Sequence, residues 1–466
     1  MKIPKLNPVP CFSQLIGKLA RTIFLVIISG TSLLLKFYYR YGRGRAEFEF
    51  KSKGRPFRIG FCENGAGYGG AVISLVAFLE KLPPSYEAVI YTSIGTERYA
   101  QLGVFGRWHY MPPARLVNTD CLRRTQFPFV SLIDNFLNLL PYAIRYYIAF
   151  KRDKVELVYL NNNASCGFAA TIAAKFARLP LVLHVRGFNG DTRGNRWVLS
   201  KVNHCVAVSN AVRDELLVLG VPAEKCTVVP EGLDLTVFHP RPASDSIREE
   251  LSLHIDAQVI TLVGGLVDWK GQDVMLDAAP MIFQKFPKAV IILVGGAYGK
   301  DNNFASLIAK RAATPDLQSR VRLLGARDDV ADILACSDVV VHASTKPEPF
   351  GRTFLEGMAL GKAVVASNEG GPLDVISHGI DGLLIEPRNP RKLADAIDQL
   401  LSNPALLQTL GKNAAAKARV YSIENHANAI LTILRCIKPG ETHQPVPPLD
   451  HLWNTETLPA EAQQHS

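Results

Sequence analysis

Short apolar runs alternate with longer amphipathic stretches along most of the chain, and turns rich in glycine or proline separate many of them. The runs predict strands that are buried on both faces, and the stretches between them predict helices. This alternation is typical of α/β folds built on mainly parallel sheets. The pattern begins at Pro56 and continues to about Ile437.

The predicted strands fall into two series, separated by a charged, proline-bearing stretch from Pro240 to about Gln258. The first series is Pro56–Glu63, Glu87–Thr92, Glu156–Leu160, Pro180–Val185, His204–Val208 and Thr227–Pro230. The second series is Val259–Gly265, Ala289–Gly296, Val321–Gly325, Ser337–His342, Ala363–Ser367 and a short strand near Leu383.

A chain of 466 residues is too long for one ordinary core, so the two series predict two domains. We expect an N-terminal segment over residues 1–55, a first domain over 56–240 and a second domain over 241–437. Residues 438–466 are rich in Pro, Gln, Glu and Thr and predict a disordered tail.

The N-terminal segment contains an uncharged, mainly apolar run at residues 22–35 with Lys and Arg on both sides. The run is shorter than the roughly 20 residues of a spanning helix. A basic aromatic stretch follows it where a signal peptide would have a small-residue cleavage site. These features favour a membrane-embedded or interfacial anchor, with a signal anchor and a core helix as alternatives.

The composition of the chain limits the classes of binding partner that are expected. Lys and Arg exceed Asp and Glu by 52 to 42, for a formal net charge of +10. No zinc finger or aromatic-rich RNA-binding signature is present, so an anionic membrane surface or phosphorylated substrates are favoured over nucleic acid. The eight cysteines form no C-x-x-C pair and predict free thiols in a reducing compartment.

Residues 129–151 predict an amphipathic helix that Pro141 should kink or split. Packing of its apolar side against the first sheet is the simpler interpretation. Contact of this helix with a bilayer is the alternative.

The densest candidate chemistry is the stretch E-P-F-G-R-T-F-L-E-G-M-A over residues 348–359, which follows a predicted strand and opens a predicted helix. Backbone N–H groups from Phe350 through Gly351 and Arg352 to Thr353 would point out of the helix N-terminus, where a diphosphate binds well. Gly351 lets the backbone approach an anion closely.

Two carboxylates flank this turn, Glu348 in the loop and Glu356 about one turn into the helix. Both are placed to accept hydrogen bonds from hydroxyl groups of one extended ligand, such as a nucleotide sugar. A solvated loop carboxylate and a helix-dipole partner explain the same spacing, and the spacing alone does not separate the two interpretations.

The run E-P-F-G-R-T-F-L-E resembles the E-x7-E signature of the retaining glycosyltransferases of family four. The resemblance extends from Pro56 to about Ile437. It implies the GT-B fold, in which two Rossmann-like doubly wound domains face each other across a cleft. It also implies that Glu348 binds the donor sugar, that Glu356 binds the ribose, and that Gly69 and Gly70 lie beneath the donor phosphates.

A cation is needed opposite the departing diphosphate, because negative charge grows there in the transition state. Lys270, which follows the first strand of the second domain, is the candidate. Related enzymes usually carry Arg where this chain has Gly265, and Arg352 is a candidate replacement. The resemblance also implies that the nucleotide base lies near Gly325 to Arg327.

His184 ends a predicted strand of the first domain, which predicts that it points into the crevice. The resemblance implies that it contacts the donor sugar. Arg186, Asp191 and Arg193 are candidates for an anionic acceptor. Glu231 departs from the family pattern, which usually has Asn before the following Gly.

Together these observations predict a retaining hexosyltransferase that moves sugar from a nucleotide-sugar donor to a glycan or lipid-linked acceptor in polysaccharide or glycolipid biosynthesis. We expect it at the cytoplasmic face of a membrane. The chain contains no D-x-D motif, so we expect neither a catalytic metal nor a further cofactor. Two alternatives stay open, a non-catalytic nucleotide-sugar-binding subunit, indicated by Gly265, and a sugar-nucleotide epimerase of the same fold.

Overall fold

The computed structural model describes residues 55–65, 67, 69–113, 138–297, 303–437 and 444–453. The predicted anchor over residues 22–35 lies outside the described residues, as do residues 129–137 of the predicted amphipathic helix. Pro56 begins the compact unit that contains all the elements below.

The first sheet has seven parallel strands, and most of them are buried along their length because helices cover both faces. The strands are β1 (Phe57–Glu63), β2 (Tyr86–Thr92), β3 (Gly106–Tyr110), β4 (Leu157–Asn161), β5 (Leu181–Val185), β6 (His204–Ala207) and β7 (Cys226–Val228). The helices are α1 (Gly70–Glu80), α2 (Glu97–Ala100), α3 (Leu140–Asp153), α4 (Phe168–Ala177), α5 (Arg193–Lys201) and α6 (Asn210–Val218). The strand order is β3-β2-β1-β4-β5-β6-β7.

The second sheet has six parallel strands in the order β10-β9-β8-β11-β12-β13. Their bounds are β8 (Gln258–Val263), β9 (Ala289–Val294), β10 (Val321–Gly325), β11 (Val339–His342), β12 (Ala363–Ser367) and β13 (Leu383–Ile385). The helices are α7 (Asp245–Glu250), α8 (Gln272–Lys285), α9 (Asn303–Ala312), α10 (Val330–Ala335), α11 (Arg352–Ala359), α12 (Pro372–Val375), α13 (Pro390–Leu401), α14 (Pro404–Ala418) and α15 (Ile423–Cys436). Two doubly wound parallel sheets confirm the predicted fold class.

Each sheet has one point where the strand order reverses. In the first sheet β1 lies between β2 and β4, and in the second β8 lies between β9 and β11. Ligands of open α/β sheets bind outside the carboxyl ends of the strands at such a point. The loops that leave β8 and β11 carry Lys270 and Glu348, so the topology brings together two residues that are 78 positions apart.

The strand β3 was not predicted. It lies at the edge of the first sheet, where it pairs with β2. Its sequence GRWHY is only partly buried, with no residue fully enclosed. An edge strand needs no continuous apolar run, and the pattern of buried strands therefore missed it.

The tail prediction was wrong for residues 444–453. Leu449 is 5% exposed, and the Trp453 ring stacks on Tyr421 with ring centroids 6.0 Å apart. Asn425 Nδ2 on α15 donates a hydrogen bond to the carbonyl oxygen of Leu452. The few apolar residues spaced among the prolines supply enough contact to hold this segment against the core.

The predicted boundary of the second domain at residue 437 was also wrong. The apolar side of α15, including Ile430 and Leu434, packs in one core cluster with Phe61 and Leu75 of the first domain. Just before this helix the chain crosses back from the second domain to the first. Two backbone hydrogen bonds, one donated by Leu233 and one accepted by it, hold this crossing segment in place. Periodicity predicts the apolar side of a helix, but not which sheet covers it.

Helix α3 begins at Leu140, so Pro141 occupies its first turn, where a missing N–H costs little. Tyr146 and Phe150 on its inner side are buried, which confirms the predicted packing against the first sheet. None of the helices in the described ranges combines the length and the apolar character that a bilayer-spanning segment needs.

The packed tail gives a test of stability. The double substitution Leu449→Ala and Trp453→Ala should lower the free energy of unfolding by about 2–5 kcal/mol, because it removes apolar contacts from the core. Chemical denaturation followed by circular dichroism measures the change. Ile255→Ala, at a residue that is 85% exposed, is the control and should change the free energy by less than about 0.5 kcal/mol. Equal effects of the two variants would show that the tail does not pack.

Candidate active site

The turn between β11 and α11 has a conformation that requires glycine. Gly351 has φ +97° and is the N-cap of α11. A Cβ atom there would lie 2.8 Å from the Phe354 ring and 3.0 Å from His342 Nε2. Since Gly351 has no side chain to cap the helix, the N–H groups of the first turn remain available to an anion. The neighbouring Phe350 is buried and fixes the turn in the core.

Two further glycines, Gly370 and Gly371, pack against the backbone of this turn. Gly370 has φ +74°, and a Cβ atom on it would lie 2.1 Å from the carbonyl oxygen of Glu348. The N–H of Gly371 donates a hydrogen bond of 2.8 Å to the same oxygen. The backbone at Glu348 is therefore held in place before any ligand arrives.

Lys270 and Glu348 form a direct ion pair at the carboxyl edge of the second sheet. Lys270 Nζ donates to Glu348 Oε2 at 2.7 Å, and the Ser344 hydroxyl donates to the same oxygen at 2.8 Å. His342 Nε2 lies 3.3 Å from it. The Lys270 ammonium also lies 4.2 Å from the centre of the Trp269 ring, so an aromatic face and a carboxylate fix its position.

The two carboxylates of the motif have different environments. Burial by itself raises the pKa of Glu348, but Lys270 and His342 outweigh burial and hold it well below its ordinary value. Glu348 is therefore ionised. Burial raises the pKa of Glu356, and Arg352, whose Nε lies 3.6 Å from Glu356 Oε1, opposes that rise only in part.

Arg352 reaches from the second domain to the first. Its Nη1 donates to the Ser74 hydroxyl at 3.0 Å and to the carbonyl oxygen of Gly232 at 3.2 Å. A Cβ atom on Gly70 would lie 3.7 Å from Arg352 Cδ, whereas one on Gly69 would meet no atom within 4 Å. The predicted glycine turn of the first domain and the E-P-F-G-R turn of the second domain thus lie next to each other.

Glu231 lies at the centre of a buried network that links the two domains. It accepts hydrogen bonds from the Ser74 hydroxyl and from Arg186 Nη1, the latter at 2.6 Å, and its Oε2 lies 3.9 Å from Arg352 Nη1. Burial alone raises the pKa of Glu231, but Arg186, His426 and Arg352 outweigh it and lower the pKa to about 2. The carboxylate is ionised at any physiological pH.

Comparison with known proteins places this geometry in a family. The model of "Glycosyl transferases group 1" matches residues 244–417, and the model of "Glycosyltransferase Family 4" matches residues 68–237. The matches fall on the two sheets described above. The chain belongs to glycosyltransferase family 4.

Among relatives of this family 4 protein, D-inositol 3-phosphate glycosyltransferase of Thermobispora bispora is 32% identical over 232 residues, or 48% of this chain and 54% of that protein. The chain spans about half the length of the curated relatives it matches. Among solved structures, Anabaena HepE in complex with UDP and glucose has a TM-score of 0.70 and 24% identity, over 82% of this chain and 100% of that one. A glycosyltransferase of Rickettsia africae has a TM-score of 0.68 and 22% identity, over 82% and 98%. These structures show a shared GT-B fold.

In this family 4 protein His184 does not have the crevice-facing position that the sequence predicted. Its side chain is fully buried, with Nδ1 2.5 Å from the Tyr159 hydroxyl and 3.3 Å from Arg186 Nη2, and its ring stacks on His426. Burial and the nearby Arg186 lower the pKa of His184 well below its ordinary value, so the imidazole is neutral. His184 lies inside the fully buried strand β5 and not in the loop after it, and residues distant in the sequence, Tyr159 and His426, enclose its ring.

Arg327 has its guanidinium engaged by carboxylates of its own domain. It forms two hydrogen bonds with Glu250, at 2.6 and 3.1 Å, and two with Asp329, at 2.8 and 2.7 Å. These pairs occupy the guanidinium of a residue that the resemblance places near the nucleotide base. The sequence shows Asp329 two positions away, but it does not show that Glu250 on α7 comes close.

Sequence reasoning assigned no site role to the partners of the buried carboxylates, including Ser74, Ser344 and His342. A polar residue inside an apolar run is the signal that would have found them, since such a residue needs a partner when buried. Two of the three predicted acceptor-binding charges are also engaged, because Arg186 pairs with Glu231 and Asp191 pairs with Arg196 at 2.6 Å.

The Glu231 network predicts a defined pH dependence. Glu231 has a folded pKa of about 2 against an ordinary value of 4.5, so its stabilising contribution is fully present above pH 4.5 and is lost as pH falls toward 2. At neutral pH the wild type should exceed Glu231→Gln by up to about 3 kcal/mol in free energy of unfolding. Denaturant titrations at several pH values measure the difference, and a difference that does not shrink on acidification would rule out charge pairing as its source.

Proposed function

We propose that this protein transfers a hexose from a nucleotide-sugar donor to a glycan or lipid-linked acceptor, with retention of anomeric configuration. The observation that carries the proposal is the Lys270–Glu348 pair, which lies at the strand-order reversal of the second sheet beside the N-terminus of α11. Membership of glycosyltransferase family 4 supports sugar transfer.

In this proposal the donor lies along the carboxyl edge of the second sheet. Its diphosphate meets the backbone N–H groups of Phe350–Thr353 and the Lys270 ammonium, which has three N–H donors and uses one for Glu348. Glu348 accepts hydrogen bonds from the sugar hydroxyls and Glu356 from the ribose. The positive charge of Lys270 stabilises the diphosphate most as it departs.

The acceptor approaches from the first sheet, over the turn at Gly69 and Gly70. We propose front-face attack, in which the departing phosphate oxygen helps to take the acceptor proton and no protein nucleophile is needed. Closure of the domains over the donor excludes water and limits hydrolysis. Since the helix N-terminus and Lys270 supply the positive charge, we propose a reaction without a catalytic metal.

The donor class follows from the same geometry. HepE, a protein with the same fold, was solved in complex with UDP and glucose. A nucleoside diphosphate sugar suits this site because the carboxylates can accept hydrogen bonds from its hydroxyl groups, and the backbone N–H groups and the ammonium can bind its diphosphate. The paired state of Arg327 leaves recognition of the base to other groups. We propose the cytoplasmic face of an anionic membrane as the location, since the basic N-terminal sequence favours it.

Two substitutions test the donor site. Lys270→Ala and Glu356→Ala should each weaken donor binding by tenfold or more and remove most activity. Thermal shifts with UDP, GDP and ADP sugars, followed by turnover measurements with the sugar that binds, provide the readout. Lys285→Ala, at an ammonium that pairs with Asp398 on the outer surface, is the matched control. Normal turnover in both site variants would contradict the placement of the diphosphate and ribose.

Lys270→Ala also leaves Glu348 buried without its cation, which destabilises the fold. Lys270→Ala combined with Glu348→Gln removes both charges and separates the two effects. The double variant should regain stability but not donor affinity. A double variant that binds donor like the wild type would show that Lys270 holds only the fold together.

A binding-only subunit is the second candidate, because Gly265 stands where related enzymes usually carry Arg. Among the described residues, a Cβ atom at Gly265 would meet only the carbonyl oxygen of Gly296, at 3.8 Å, so the backbone there has room for a side chain that this sequence does not supply. A binding-only protein would show donor-induced thermal shifts without slow donor hydrolysis at high protein concentration. A sugar-nucleotide epimerase would instead interconvert free donors with no acceptor present.

A further inference from the structure

Helix α3 has a buried apolar side and also an exposed one. Its outer side presents Leu140, Ile144 and Ile148, which are 38%, 50% and 58% exposed. Their spacing of four residues places them in one row along the helix. A row of three large aliphatic side chains in water is costly unless a partner covers it.

Cations surround this row. Arg145, Lys151, Arg152 and Lys154 are all exposed. The single acidic residue between positions 138 and 154 is Asp153, which is buried and accepts hydrogen bonds from the Tyr91 hydroxyl and from Arg152. The exposed side of this helix therefore combines aliphatic and basic residues and presents no carboxylate.

The position of α3 relates this surface to the cleft. The Tyr142 hydroxyl donates to the carbonyl oxygen of Met111, just after β3, at 2.7 Å. The Tyr146 hydroxyl donates to Asn64 Oδ1, just after β1, at 3.0 Å. The first half of α3 thus lies at the carboxyl edge of the first sheet, next to the glycine-rich turn. A partner on the outer side of α3 would therefore approach the molecule near this edge of the first sheet.

We propose that the α3 outer face, defined as Leu140, Ile144 and Ile148 with Arg145, Lys151 and Lys154, docks on the surface of an anionic lipid bilayer. The aliphatic row enters the boundary between headgroups and acyl chains, and the cations meet lipid phosphates. The proposal rests on residues 140–154 and makes no use of the apolar run at residues 22–35. The proposal concerns binding alone and does not depend on the transfer reaction.

Charge argues against two other occupants. A second copy docked through the same face would oppose cations with cations. Residues 1–54 hold ten Lys or Arg and two Asp or Glu, so that segment also lacks the negative charge that this face would attract. Anionic phospholipid supplies both the negative charge and the apolar depth.

Hydrogen exchange on the full-length protein tests the surface directly. Amides of Leu140–Asp153 should exchange more slowly with vesicles of phosphatidylglycerol and phosphatidylcholine in equal parts, and not with phosphatidylcholine alone. The slowing should weaken at high salt, because the lipid attraction is electrostatic. Vesicle binding with unchanged exchange in this helix would overturn the proposal, since the chain would then bind through other segments.

Matched variants separate this face from general surface effects. Ile144→Glu with Ile148→Glu should weaken partitioning onto the anionic vesicles tenfold or more in sedimentation assays. Val218→Glu with Ile255→Glu adds the same charge at residues that are 77% and 85% exposed elsewhere and should change partitioning by less than twofold. Equal losses in the two variants would refute the α3 surface. Slow exchange of the α3 amides without vesicles would also refute the proposal, because another part of the chain would then cover this face. Protection that rises with protein concentration would refute it as well, because a second copy would then cover the face.

Discussion

The structure depends on the pairing of buried carboxylates with cations where the carboxyl ends of the two parallel sheets meet. Glu348 and Glu231 are both nearly inaccessible to solvent, and a buried carboxylate without a partner would neutralise or unfold the site. Each has its cation from a different element, Lys270 for Glu348 and Arg186 for Glu231. The charge of the site is therefore fixed before any ligand binds, which avoids reorganisation during a reaction.

Topology makes this pairing possible. Loops that leave neighbouring strands at a strand-order reversal point into one crevice, so residues far apart in the sequence meet. Glycine then lets the backbone approach closely where a side chain would collide, as Gly351 and Gly370 show. The remaining N–H groups of α11 and the Lys270 ammonium form a compact positive region beside two carboxylates, and this arrangement is the basis on which we propose a nucleotide-sugar donor.

The two domains contribute unequally. The second domain holds the paired carboxylate, the cation and the helix N-terminus, whereas the first domain contributes Ser74 and Glu231, which contact Arg352 from the other side. Helix α15 and the packed segment 444–453 pack against the first domain and so hold in place the segment by which the chain returns to it. If the proposed bilayer contact of α3 exists, it would orient the first domain relative to the membrane surface.

The sequence by itself determined the elements and the local motif. Continuous apolar runs predict strands buried on both faces, and a strand followed by E-P-F-G-R predicts a helix N-terminus, because both signals depend on neighbours in the chain. The tertiary structure alone decided which side chains pair. The burial of His184 within β5, the engagement of Arg327 by Glu250, the central place of Glu231 and the return of α15 to the first sheet all rest on contacts between distant residues. No periodicity encodes such contacts, since the energy of a buried charge is set by whichever partner the fold brings within reach.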